Sequence, residues 1–308
     1  MTASPPSGPG AIRRVLGYLL PPVGGRGEPT ARTVGRPMTV GEPIVQSPED
    51  DALTVTSWVT QPRMSADGGT LGTLTVRAAS VSGRRHARQG GSREDAYAIS
   101  PATDGVVVAV ADGVGDPSAR FSAVGAQLAA VEACRLIANC LDRPQTIDAD
   151  EVCRVISTSM TQQAGRFVPD EYDARSLATT LTVVWISTGG EYAGFRVGDG
   201  EMFEIGQGGL VSAGPPAGGS FTETAALPGS WTTVETFEGR LQPRTALVVV
   251  TDGLSVPMRS PDVATHLTRR WHEVPTIVEF LDDISFERRG ESDDRTAVCV
   301  WFLPEAGA

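Results

Sequence analysis

Three runs in this chain end on the same dipeptide. "VVVAVADG" closes on Asp112-Gly113, "ALVVVTDG" on Asp252-Gly253 and "FRVGDG" on Asp199-Gly200. Two acidic pairs reverse the arrangement and precede strand-like runs: Glu94-Asp95 in "SREDAYAI" and Asp293-Asp294 in "ESDDRTAVCVWF". If these ends adjoin, carboxylates converge, and two such charges 4 Å apart repel by roughly 4 kcal/mol at an effective dielectric of 20. Three or four at one edge require a cation. Oxygen ligands without nearby His or Cys select a hard ion, Mg²⁺ or Mn²⁺, over zinc. Two such ions sharing a carboxylate acidify a water and aim it at phosphorus. Convergence is what the fold must supply.

A simple turn is the competing reading of each Asp-Gly pair, because Gly accepts positive φ and Asp caps backbone N–H groups. The runs before Asp112 and Asp252 are too apolar for exposed hairpins and read as central strands. Asp199 follows a less apolar run, and there the turn and the ligand readings stand level.

The surrounding pattern alternates strands and helices. Strands are expected at Leu74–Val81, Ala96–Ile99, Val106–Ala111, Thr179–Ser187, Glu191–Val197, Glu201–Ile205, Ala246–Thr251 and Thr296–Phe302. Helical spacing predicts a long amphipathic helix over Ala119–Leu141 and others over Ala149–Ala164, Pro261–His272 and Thr276–Phe286. "TGG" and "GDG" read as tight hairpin turns. Hairpins mean antiparallel pairing, so the fold class is α+β: a sandwich with sheets inside and helices outside. A Gly/Pro-rich loop is expected over Gly206–Ser230. Residues 1–70 are rich in Pro, Gly, Ser and Thr and read as a largely disordered or extended tail, with "ALTVTSWVT" (Ala52–Thr60) as one isolated strand within it. The domain is placed at 71–308.

Composition narrows the function. Net charge is −11, which repels phosphate backbones and anionic bilayers and argues against nucleic-acid and membrane partners. All 26 basic side chains are arginine. Without lysine there is no P-loop lysine, no protein-kinase lysine and no Schiff-base chemistry. Cys134, Cys140, Cys153 and Cys299 form no CxxC pair and read as buried thiols in a reducing compartment. No apolar run is expected to reach membrane-spanning length, and "AIRRVLGYLLPPVGG" reads as a weak helix or disordered arm rather than a secretory signal. A cytoplasmic location is the default.

The ordered set "REDA", "ADGVG", "ATTLT", "VGDGE", "VTDG" and "DDRTAV" resembles metal-dependent Ser/Thr phosphatases of the type 2C (PPM) family, nearest its compact bacterial branch, over about residues 74–302. The resemblance implies an αββα sandwich of two central antiparallel sheets flanked by helices, with two Mn²⁺ or Mg²⁺ ions between them. It implies that Asp112 bridges the ions, that Gly113 offers its carbonyl, and that Asp252 and Asp293 complete one shell. Glu94 would bind the other ion directly or through water, with Asp95 its neighbour, and Asp199 would match a carboxylate associated with a third, weaker ion. The implied reaction is one-step attack of metal-bound hydroxide on a phosphoserine or phosphothreonine protein. An antagonist Ser/Thr kinase is the partner expected on the same grounds.

Three positions depart from that pattern. Gly90 stands where many relatives carry a phosphate-binding Arg; Arg88 or Arg93, or Arg84 and Arg85, are the substitutes. Val114 replaces a His given an acid role in eukaryotic members. Asp294 stands where Asn is usual. His86 lies among these arginines and reads either as a hydrogen-bonded structural residue or as a phosphate-side group; the arginines could equally be a solvated surface. Gly90 also motivates an alternative, a degenerate member that binds a phosphoprotein without turnover, although such a binder has little reason to keep so costly a carboxylate cluster. A haloacid-dehalogenase mechanism is excluded: it needs an Asp two residues before a second Asp, where Val110 stands, and a lysine.

Overall fold

The two most apolar runs become the central strands of two stacked antiparallel sheets. The computed structural model describes residues 40–41, 62–89, 91–116, 118–141, 148–164, 173–206, 208–215, 225–229 and 231–304. The first sheet is built from β1 (Met64–Leu71), β2 (Leu74–Val81), β7 (Glu201–Gly206), β8 (Gly209–Ser212), β10 (Thr245–Val250) and β11 (Arg295–Phe302), in the order β1-β2-β11-β10-β7-β8. The second contains β3 (Ala96–Ala102), β4 (Gly105–Ala111), β5 (Leu181–Ser187), β6 (Glu191–Val197) and β9 (Glu235–Arg240), in the order β3-β4-β5-β6-β9.

Alternation within these strands separates three cores. Val106, Val108 and Val110 of β4 meet Leu247 and Val249 of β10 between the sheets. Their neighbours Val107, Ala109 and Ala111 face outward against α2 (Ser122–Leu141) and α3 (Ala149–Ala164). Ala246, Val248 and Val250 face outward on the other side, against α4 (Asp252–Met258), α5 (Pro261–Arg270) and α6 (Ile277–Ile284). Strands covered on both faces lose the polar alternation of a half-exposed strand, hence their unbroken apolar runs. The result is the expected αββα sandwich. A short helix, α1 (Arg84–Gln89), follows β2.

Strands β2 and β6 and helix α3 occupy the expected residues. Several expectations need correction. "TGG" does turn β5 into β6 within one sheet, but "GDG" joins β6 of the second sheet to β7 of the first, so it is a crossover and not a hairpin. The loop expected over Gly206–Ser230 contains β8. A boundary at residue 71 cuts through the first sheet, because β1 pairs with β2 from Met64↔Val81 to Leu71↔Leu74. Farther upstream, Val40 is buried against the helices of the first sheet and donates its N–H to Glu287 O at 3.1 Å. The other tail segments, including Ala52–Thr60 and "AIRRVLGYLLPPVGG", lie outside the described residues.

One helix also departs from the reading that no run reaches membrane-spanning length. Ser122–Leu141 has 20 residues and a mean hydropathy of 1.3, enough by length and composition to cross a bilayer. Its Ala126, Ala129, Ala130 and Ala133 are fully buried against the second sheet, which is the packing of a core helix. The cysteines are unpaired among the described residues, and burial pushes the thiols of Cys134 and Cys299 up.

Candidate metal centre

The acidic strand ends meet at one end of the sandwich. Asp112 follows β4, Asp95 precedes β3, Asp252 opens α4 directly after β10, and Asp293 precedes β11. Alternation continued one residue beyond β4 turns Asp112 toward the space between the sheets, and Asp95 has the same parity on the neighbouring strand. The Asp112 carboxyl lies against those of both Asp95 and Asp252. Burial first, then the charges of Asp95 and Asp252, push the Asp112 carboxyl well above the usual carboxylate range. Burial, with Asp294 adding to it, pushes Asp95 up to about 8. Asp199 and Asp293 are also raised, by burial and, among the nearby charges, by repulsion from Asp252.

Backbone chemistry holds these groups in place. The carbonyl of Asp112 accepts from Thr180 N at 2.8 Å and from the Thr179 hydroxyl at 2.8 Å, while its N–H donates to Thr180 Oγ1 at 3.1 Å. Thus "ATTLT" fixes the end of β4. Thr251 donates its hydroxyl to Asp95 Oδ2 at 2.8 Å and accepts from Thr296 N at 3.0 Å. The glycines allow close approach: a Cβ on Gly113 would stand 2.8 Å from Ser122 Cβ and 2.9 Å from Glu94 O. A Cβ on Gly253 would overlap the carbonyl oxygen of Asp294, so only glycine lets α4 press against the start of β11. For the crossover, buried Arg196 donates to Gly200 O at 2.9 Å and to Glu235 Oε2 at 2.9 Å.

The donor set is all oxygen, half-buried and anionic by composition, which fits a hard divalent cation. Among the described residues no three His, Cys, Asp or Glu side chains stand in a ready ligation arrangement.

The sequence profile described as protein phosphatase 2C matches residues 82–282, about two thirds of the chain. The chain belongs to the protein phosphatase 2C family. The matched range ends before Asp293. Among solved structures, the serine/threonine phosphatase PstP/Ppp of Mycobacterium tuberculosis shares 18% identity at a TM-score of 0.53, covering 75% of this chain and 99% of that one. A bacterial serine phosphatase shares 13% at 0.54 (75% and 98%), and RsbX in complex with magnesium shares 14% at 0.51 (77% and 99%). These likenesses show the fold. No curated protein matches the sequence.

In this protein phosphatase 2C chain, a protein-serine/threonine phosphatase by family, the remaining candidates divide. Glu94 stands apart from the aspartate cluster: its carboxyl bonds with Ser122, and its Oε2 lies 3.6 Å from His86 Nε2. Burial raises its carboxyl, and His86 opposes that rise. Asp95 is buried beside Asp112 and accepts from the Thr251 hydroxyl at 2.8 Å.

Arg93 is turned into the fold. Its guanidinium is buried and spent on Asp95 O at 3.0 Å, Ser65 Oγ at 2.6 Å and Ser80 O at 3.2 Å, which ties β1 and β2 to the approach to β3. Arg88 is exposed in the last turn of α1. Gly90 lies outside the described residues. His86 is buried and donates from Nδ1 to Asp294 Oδ1 at 3.0 Å, the hydrogen-bonded structural reading; that bond raises its pKa against the opposing effect of burial. Arg85 also reaches the cluster, with its Nη2 3.4 Å from Asp293 Oδ1. A Cβ on Gly115 would lie 3.2 Å from the same Nη2, which places the guanidinium over the loop that follows Asp112.

Proposed function

We propose that this chain hydrolyses phosphoserine and phosphothreonine in proteins with two Mn²⁺ or Mg²⁺ ions, and that a third ion is associated with Asp199. One observation carries the reading: burial and the charges of Asp95 and Asp252 raise the Asp112 carboxyl, and Asp252 also raises Asp293 and Asp199, an arrangement that costs stability unless a cation occupies it. Solved relatives support the ion type: PstP is in complex with two manganese ions and RsbX with magnesium.

Asp112 would bridge the ions, Gly113 would offer its carbonyl, Asp252 and Asp293 would complete one shell, and Glu94 would serve the other directly or through water. When bound, the ions supply an acidified water and charge neutralisation at the phosphoryl oxygens. The chain's own residues do the rest. Thr179 and Thr180 hold Asp112 against rotation, and Thr251 and Asp95 brace it from behind. Arg85, on the rim beside Asp293, would receive phosphoryl oxygens in place of the arginine missing at Gly90.

The retained cluster argues against a module that binds phosphoproteins without turnover. Substrates of this class imply an antagonist Ser/Thr kinase in the same compartment, for which the cytoplasm fits the four thiols. Mn²⁺-dependent hydrolysis of a phosphothreonine peptide, compared with an Asp112→Asn control, tests the reading.

A further inference from the structure

Asp294 has both carboxyl oxygens committed to donors distant in sequence. It is 3% exposed. Oδ1 accepts from Gly83 N at 2.6 Å and from His86 Nδ1 at 3.0 Å, and Oδ2 accepts from Glu94 N at 2.6 Å. Gly83 precedes α1, which carries Arg85; Glu94 stands ahead of β3; Asp293 is the next residue in the chain. The approach is too close for a side chain at Gly83, where a Cβ would overlap the backbone of Asp293. Beyond Asp294, the second ring nitrogen of His86 reaches toward the Glu94 carboxyl at 3.6 Å.

We propose that Asp294, with His86 donating to it, is a positioning residue that sets Glu94 and Arg85 relative to Asp293. A carboxyl group is needed because three N–H donors converge on its two oxygens. An asparagine has one acceptor oxygen, and its NH₂ would face either the Glu94 N–H or the pair from Gly83 and His86. The departure from the asparagine usual in the family is therefore matched by His86, which adds a donor that the amide could not receive together with the other two. The proposal rests on the metal-centre reading above, since Glu94 is placed for an ion.

The test uses the full chain and Asp294→Asn, His86→Ala and His86→Asn. Asparagine at 86 keeps a donor near the Nδ1 position. In the metal-free protein, hydrogen exchange at the Gly83 and Glu94 amides is slow, and Asp294→Asn accelerates at least one of them. By calorimetry, Asp294→Asn and His86→Ala weaken Mn²⁺ binding by roughly 10- to 100-fold, the usual effect of removing a group that orients a ligand. His86→Asn restores most of that affinity, and in the other two variants saturating Mn²⁺ restores kcat while the KM for phosphopeptide stays raised, because Arg85 remains displaced. If Asp294→Asn does not fold, the two His86 variants decide the matter through the same affinity measurement. Unchanged Mn²⁺ affinity in the folded variants, or equal losses in His86→Ala and His86→Asn, overturns the positioning role. Failure of the unaltered chain to bind Mn²⁺ overturns the metal-centre reading instead, and the role toward the ion with it.

Discussion

The hydroxyl of Thr251, just past the end of β10, donates to Asp95 Oδ2 at 2.8 Å, just ahead of β3 in the other sheet. This bond ties the two sheets together at the end where the acids meet. Thr251→Val keeps the shape and leaves Asp95 short of a donor. It should destabilise the fold by about 1–3 kcal/mol, the cost of an unsatisfied buried polar group. Denaturant unfolding checks the stability, and a parallel loss of kcat shows that Asp95 braces Asp112.

The metal-free protein should lose stability as pH rises. Asp112 is raised well above the ordinary carboxylate value and Asp95 to about 8. Between pH 4 and that value the folded state holds protons that the unfolded chain has released, so unfolding releases protons and stability falls with increasing pH. Asp112→Asn removes part of that slope. At pH 8 and without metal the variant should be more stable than the parent by about 1–3 kcal/mol, each pKa unit being worth roughly 1.4 kcal/mol. Added Mn²⁺ should reverse the order, raising the Tm of the parent and leaving that of the variant unmoved. Thermal melts at pH 5 and pH 8, with EDTA and with Mn²⁺, contain the whole comparison.

Gly253→Ala should be severe. The new Cβ would overlap the Asp294 carbonyl oxygen and push α4 off β11, separating Asp252 from Asp293. A destabilisation of roughly 3 kcal/mol or more is expected for backbone displacement in a packed core. Gly69→Ala in β1 is the matched control, because nothing lies within 4 Å of its added Cβ. Its effect should stay within about 0.5 kcal/mol.

Arg85→Ala should lower kcat/KM for phosphopeptides by roughly 10- to 100-fold, as expected for one charge-assisted hydrogen bond of about 1.5–3 kcal/mol. Arg93→Ala should act differently. It removes bonds to Asp95 O, Ser65 and Ser80 and therefore lowers Tm. Steady-state kinetics beside melting curves separates the two arginines.

What could be read from the sequence follows from burial. Strands β4 and β10 announce themselves because both faces are covered and the runs are apolar throughout. Strand β1, "MSADGGTL", is an exposed sheet edge with two glycines and an aspartate, and it carries no periodic signal. Strand β9, "ETFEGR", is likewise a short edge strand with no fully buried residue. "GDG" misleads because three residues reverse the chain whether they join two strands of one sheet or cross between sheets; only the partners of β6 and β7 distinguish the cases.

The site shows the same division. Each Asp-Gly pair is a local signal and was legible. The commitment of Asp294 to Gly83 and Glu94 spans 211 and 200 residues, so no local pattern contains it. Arg93 and Arg85 looked alike in sequence as cations near the acidic motif. The fold turns one inward between strands and leaves the other on the rim beside Asp293.

The central claim is that the acids around Asp112 hold the ions that drive phosphate ester hydrolysis. The most direct measurement is turnover of a phosphothreonine peptide by the full chain with millimolar Mn²⁺, against the same chain in EDTA and against Asp112→Asn. The expected result is turnover that requires Mn²⁺ and is lost in Asp112→Asn while the variant remains folded. Turnover that survives EDTA, or that is equal in parent and variant, would contradict it.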